Sequence, residues 1–198
     1  MKLYLPECPC DVYVCDIRTD TSLNRCEREE LALRYLLDEA FGVGAERRHA
    51  CACAPVLYIG GVKSDVCISV SHSRHHAVLA CGAGGMSVGV DVEAPREQLL
   101  KVSERVLSSA EHDFYSSFEG GLLLAWTLKE ALYKASRSML EEEPCFATQL
   151  RIPVYDGSLA QALERDGRVV SSFSTSSYTL PDGEIVTVVF TNLSQYLQ

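Results

Sequence analysis

Residues 11–17 (Asp11-Val12-Tyr13-Val14-Cys15-Asp16-Ile17) largely alternate polar and apolar positions, the period of a half-buried strand. Residues 22–41 change to a helical period. Ser22 or Asn24 is placed to cap this helix, Glu27, Glu29 and Glu30 fill its early turns, Leu31 and Tyr35 recur at helical spacing, and Gly42 and Gly44 stop it. Short apolar runs then predict strands at 56–59, 66–70 and 77–81, with turns at Gly60-Gly61 and at Gly82, Gly84 and Gly85. The second of these strands ends at Ser71-His72-Ser73, and His75 and His76 read as exposed loop residues. Residues 87–93 form another strand. Helical signals dominate from Glu97 and are strongest over residues 122–140. The tail returns to strands: Pro181-Asp182-Gly183 is a hairpin turn, and residues 185–191 are almost wholly β-branched or aromatic.

This order predicts an α+β protein of two similar halves, 1–84 and 85–198, divided at the glycine-rich turn. The chain has 198 residues, 47% hydrophobic and 23% charged, which is globular composition and argues against disorder. A net charge of −9 excludes a duplex nucleic-acid binder, which needs a cationic footprint. An anionic substrate would need local positive charge or a bound cation. The chain shows no secretory signal and no apolar run long enough to span a membrane, so a cytoplasmic protein is expected. Its nine cysteines form no CxxC pair, which points to reduced thiols rather than a zinc site.

Three segments carry candidate chemistry. In Gly89-Val90-Asp91-Val92-Glu93, Asp91 and Glu93 project from one strand face and the valines from the other. Paired carboxylates repel unless a hard cation such as Mg²⁺ lies between them, or unless the strand edge simply faces water. In Trp126-Thr127-Leu128-Lys129-Glu130-Ala131-Leu132-Tyr133-Lys134, Trp126, Glu130 and Lys134 are spaced by four and share a helix face. A surface Glu130–Lys134 pair would be worth only about 0.2–0.5 kcal/mol. The apolar run Leu122-Leu123-Leu124-Ala125 just before it suggests instead that the charges face a cleft. In Ser69-Val70-Ser71-His72-Ser73, hydroxyls and an imidazole at a strand end can donate to phosphate oxygens. No GxSxG elbow, GxxxxGK[ST] loop or GxGxxG loop occurs, so a serine hydrolase and the common nucleotide-binding loops are not supported.

In this order, Val70-Ser71-His72-Ser73, Gly89–Glu93, Leu107-Ser108-Ser109-Ala110-Glu111 and Trp126–Lys134 resemble the motifs of the 4′-phosphopantetheinyl transferase superfamily, in its longer Sfp-like form. The resemblance implies an α+β fold of two pseudo-symmetric halves with the site in the cleft between them, acting as a monomer. It implies transfer of the phosphopantetheine arm of coenzyme A to a serine of an acyl or peptidyl carrier protein, with 3′,5′-ADP released. Mg²⁺ would be held by Asp91, Glu93 and Glu130. Glu130, Lys134 and His72 would be catalytic, with Glu130 the base. Coenzyme A would be bound by Ser71, His72, Lys129 and Lys134, with Arg28, Arg34, Arg47 and Arg48 as candidates for its 3′-phosphate. Glu111 matches a family acid near the metal. Ala54, in Cys53-Ala54-Pro55, stands where the family has a basic residue, which removes a charge-assisted phosphate contact worth about 1.5–3 kcal/mol. Arg96, Lys101 and Arg105 form a candidate basic face for an acidic carrier. The alternatives are a non-catalytic relative that binds the carrier or coenzyme A, and a hydrolase of a small diphosphate.

Overall fold

The computed structural model describes residues 1–18, 22–49, 55–137, 144–155 and 159–191. Cys51, Cys53 and Ala54 lie outside these residues. The first half contributes β1 (Lys2–Leu3), β2 (Asp11–Asp16), α1 (Arg25–Phe41), β3 (Ala45–His49), β4 (Pro55–Ile59), β5 (Val62–His72) and β6 (His76–Gly82). The second contributes β7 (Val88–Glu93), α2 (Gln98–Val106), α3 (Ser109–Ser116), α4 (Gly121–Ser136), α5 (Phe146–Gln149), β8 (Leu150–Arg151), β9 (Ala160–Leu163), β10 (Val169–Thr179) and β11 (Ile185–Thr191).

The two sheets run β1-β2-β6-β5-β4-β3 and β7-β11-β10-β9-β8. Leaving out β1, both have one topology: a first strand, a helical segment (α1 in the first half, α2 to α5 in the second), then four antiparallel strands of which the last returns beside the first. In each sheet the first strand pairs with the last, and the last with the strand before it. Val14 lies opposite Val78, which lies opposite Ser71. In the second half Asp91 lies opposite Thr187, which lies opposite Ser177.

The layers follow from the alternating pattern. Val12, Val14, Val78 and Ala80 face Val88, Val90, Val92, Val186 and Val188, forming an apolar layer between the sheets. Tyr13, Cys15, Ala77 and Leu79 turn the other way and pack under Ala32, Leu33, Leu36 and Leu37 of α1. Ala125, Leu128, Ala131, Leu132 and Ala135 of α4 cover the outer face of the second sheet. The result is four layers, helix–sheet–sheet–helix. Every residue of β11 is buried, which explains its almost wholly β-branched or aromatic composition.

The helix ends follow local chemistry. The Asn24 side chain accepts from Glu27 N–H at 3.1 Å, and the Glu27 carboxylate accepts from Asn24 N–H at 2.8 Å, a reciprocal cap of the kind worth about 1 kcal/mol. Gly42, at φ 83°, ends α1. Ser108 and Glu111 cap α3 in the same reciprocal way. Arg47 and Arg48, read from sequence only as a basic patch, belong to β3, an edge strand on which charge is at home.

Candidate active site

Gly89 is where α4 comes closest to β7. A Cβ there would lie 1.9 Å from the Ala131 carbonyl oxygen, so no other residue permits this approach. The contact brings the Glu130–Lys134 turn of α4 over the carboxylate strand. Val88, Val90 and Val92 fill the inter-sheet core, as their alternation predicts. Asp91 is buried too, beneath α4, so the strand is not a water-facing edge.

Asp91 is the centre of a small polar knot. Its Oδ1 accepts from Ser71 Oγ at 2.8 Å and from Lys134 Nζ at 2.8 Å. Lys134 Nζ also donates to Ser71 Oγ at 3.1 Å and to the Val90 carbonyl at 2.9 Å. Ser69 Oγ accepts from Val90 N–H, fastening β5 to β7. Ser71 thus reaches across from the first half to meet Asp91 and Lys134 of the second.

Glu130 sits one turn before Lys134. Burial first, then repulsion from Asp91 and Glu93, pushes its carboxyl up to about 7, against the opposing pull of Lys134 and Arg96. Glu93 is raised as well, chiefly by burial. It accepts from its neighbour Ala94 N–H at 3.0 Å and pairs with Arg96 at 2.7 Å. Arg96 also lies 5.9 Å from the Trp126 ring centre. Arg96 is therefore engaged at the site rim, while Lys101 and Arg105 lie exposed on α2.

The three acids interact through space, but among the described residues their oxygens do not all come within 4.8 Å of one another. Lys134 holds Asp91 and Arg96 holds Glu93. The donor set still suits a hard divalent cation: three carboxylates, converging charge, and a Glu130 carboxyl raised by burial and by its acidic neighbours.

His72 ends β5 at the mouth of the site, 43% exposed, with Nδ1 3.4 Å from Glu29 Oε1. Arg25 pairs with the same Glu29 at 2.6 Å. Sequence reasoning passed over Arg25 and Glu29, whose link to His72 has no local signature.

The remaining basic candidates separate. Arg34 is exposed on α1. Arg47 pairs with Glu30 at 3.4 Å, and Arg48 pairs with Glu46 at 2.9 Å and lies over the Tyr58 ring. Their strand is two places from β5, about 10 Å sideways from it. Arg28 lines a different space: a cavity of about 740 Å³ bounded by β2, α1 and the Leu180–Pro181 turn, with no Ser71, Asp91 or Glu130 in its wall.

One expectation needs correction. Lys129 does not face the cleft. It is fully buried, and Nζ donates to Glu111 at 3.0 Å, to the Phe146 carbonyl at 2.7 Å and to the Leu150 carbonyl. Burial lowers its pKa to about 8 while Glu111 opposes the shift, so the ammonium form holds at neutral pH. All three ammonium protons are committed, and none is left for a diphosphate. Glu111 likewise accepts from Ser108 N–H and Ile152 N–H, which ties α3 and α4 to the strand that follows. Both residues hold the fold.

The architecture and the site together define a two-half α+β protein whose acidic strand and Lys-bearing helix form the working edge. Residues 87–186, half of the chain, match the family model of the 4′-phosphopantetheinyl transferase superfamily, and the chain belongs to that superfamily. No curated protein matches the chain significantly. No helix among the described residues is long and apolar enough to cross a membrane.

Proposed function

We propose that this chain, acting as a cytoplasmic monomer of two halves, 1–84 and 85–198, transfers the 4′-phosphopantetheine arm of coenzyme A to a serine of an acyl or peptidyl carrier protein. The observation that carries the reading is the Ser71–Asp91–Lys134 knot beside a Glu130 whose carboxyl is raised to about 7. Asp91, Glu93 and Glu130 would hold Mg²⁺. When bound, the ion supplies positive charge against the diphosphate oxygens. With that ion the three carboxylates leave one negative charge, which Lys134 cancels.

The reaction forms a bond from the carrier serine Oγ to the phosphorus of the pantetheine phosphate. It breaks the phosphorus–oxygen bond to 3′,5′-ADP. Glu130 accepts the serine proton as general base. Lys134, whose side chain is 27% exposed where that of Lys129 is not exposed at all, exchanges its bond to Ser71 for one to the phosphate oxygens as charge moves to the leaving group, while Asp91 holds it in place. His72 and Arg25 receive the 3′-phosphate at the mouth of the site. Lys129 takes no part.

Intact-protein mass spectrometry tests the reading. Apo carrier proteins of several kinds are mixed with coenzyme A, Mg²⁺ and this protein. The expected result is a carrier heavier by one phosphopantetheine arm, with the gain lost on chelation and in Glu130→Gln. A gain that survives Glu130→Gln and Lys134→Ala refutes the assignment of roles. Hydrolysis of coenzyme A without a carrier refutes the transferase reading.

A further inference from the structure

The turn between β5 and β6 meets the turn between β10 and β11 at the seam of the two halves. His75 and Glu184 lie there, each just before the first residue of a strand, His76 of β6 and Ile185 of β11. The sequence reading of His75 and His76 as exposed loop residues does not hold: both are half-buried, and His76 opens β6.

Glu184 has a side chain only 1% exposed. Its Oε2 is satisfied, accepting from Ser73 Oγ and meeting His76 Nδ1 at 2.9 Å. Its Oε1 has no hydrogen-bond partner, and neither has His75 Nδ1, although the two lie 3.0 Å apart. Asp182 Oδ2 lies 3.5 Å from His75 Nδ1. One donor atom from each of His75, Asp182 and Glu184 falls within 4.8 Å of the others. Two buried polar atoms facing each other without a bond need an explanation.

A shared cation supplies one. An ion bound to nitrogen and oxygen at about 2.0–2.2 Å places its ligands about 2.9–3.4 Å apart, from octahedral to tetrahedral shells. The 3.0 and 3.5 Å separations are close to that range. We propose that His75 Nδ1, Asp182 and Glu184 Oε1 form a site for one borderline divalent cation of the zinc class, separate from the acids of the transfer site. Ser73 and His76 grip the other oxygen of Glu184 and so orient it, as outer partners of metal ligands do. The mixed nitrogen and oxygen donors favour zinc-class ions over Mg²⁺. Asp182 and His75 are partly exposed, which gives the ion a route in. Arg18, 3.7 Å from Asp182, is already paired with Asp16 and can leave Asp182 to the ion. Both halves contribute ligands, and the first-half turn directly follows Ser71 and His72, so the ion would act as a rivet beside the transfer site.

The test uses chelator-stripped protein in excess Mg²⁺, which occupies the carboxylates of β7 and α4. Zn²⁺ is titrated against a chromophoric chelator, and Co²⁺ serves as an optical probe. The expected result is one equivalent per chain, with a Co²⁺ spectrum free of thiolate charge transfer. Affinity should fall about tenfold or more in both His75→Gln and Asp182→Asn and stay unchanged in Glu130→Gln. Zn²⁺ should raise the melting temperature of the parent and not of the two ligand variants. Absence of stoichiometric binding, a thiolate spectrum, or binding unchanged in both ligand variants overturns the proposal.

Discussion

Replacing Gly89 by alanine adds one methyl group at the contact that positions the site. The new Cβ would lie 1.9 Å from the Ala131 carbonyl oxygen and 2.7 Å from the Ala135 nitrogen. An ordinary close carbon–oxygen approach is about 3.3 Å, so α4 must retreat from β7 by about 1.4 Å. Neither atom can swing aside, because both belong to helix backbone. Overpacking of this kind costs about 1–3 kcal/mol. For a chain of this size, that lowers the melting temperature by about 2–12 °C. The chemical penalty is larger, since α4 carries Glu130 and Lys134 and a shift of about 1 Å at reacting groups costs about 10²-fold in rate. Gly84→Ala is the control. Its Cβ would also sit close, 2.7 Å from an Asp65 oxygen, but that oxygen ends an exposed, flexible side chain. A change within about 0.5 kcal/mol is expected there. Thermal unfolding and the carrier mass assay read both variants. Gly89→Ala with an unchanged melting temperature and unchanged transfer would refute the reasoning.

Lys129→Met strands the buried Glu111 charge and should cost about 3–5 kcal/mol, with part of it recovered in Lys129→Met/Glu111→Gln, whose single amide oxygen keeps the acceptor for one of Ser108 and Ile152; denaturant unfolding decides. Lys134→Ala should cut transfer by about 10²-fold or more, read as single-turnover rate, because its ammonium is the donor beside Asp91. Glu130 predicts a pH dependence in chelator. A carboxyl raised from 4.5 to about 7 binds its proton more tightly in the folded chain. Its contribution is therefore fully present below about pH 4.5 and is lost as pH rises toward 7, by up to about 3 kcal/mol. Melting curves of the parent minus those of Glu130→Gln should show that slope, and parallel curves would disprove it.

What the sequence revealed depended on separation along the chain. The alternation of Val88, Val90 and Val92 with Asp91, and the four-residue spacing of Glu130 and Lys134, are local periods, and they led to the working edge. Lys129 misled because adjacency on a helix is not a shared direction: one residue from Glu130 it turns about 100° away, into the core, and finds Glu111 18 residues earlier. The basic candidates of α1 and β3 were indistinguishable as charges, and only packing showed Arg25 linked to His72 through Glu29 and Arg28 facing another cavity. The meeting of His76 with Glu184 joins positions 108 residues apart and has no trace in any sequence window.

The equivalence of the halves has a practical side. The apolar layer between the sheets is built jointly, Val12, Val14 and Val78 on one side and Val88, Val90 and Val186 on the other. The covalent link between the sheets is the short exposed stretch around Gly84 and Gly85. Cutting the chain there would yield two fragments, each with a complete sheet and an uncovered oily face, and each held in check only by the other. Because Ser71 lies on one piece and Asp91 on the other, catalysis would return only with reassembly. On the proposed function, the fold is in effect a ready-made split reporter, whose signal would be a mass tag on a carrier protein.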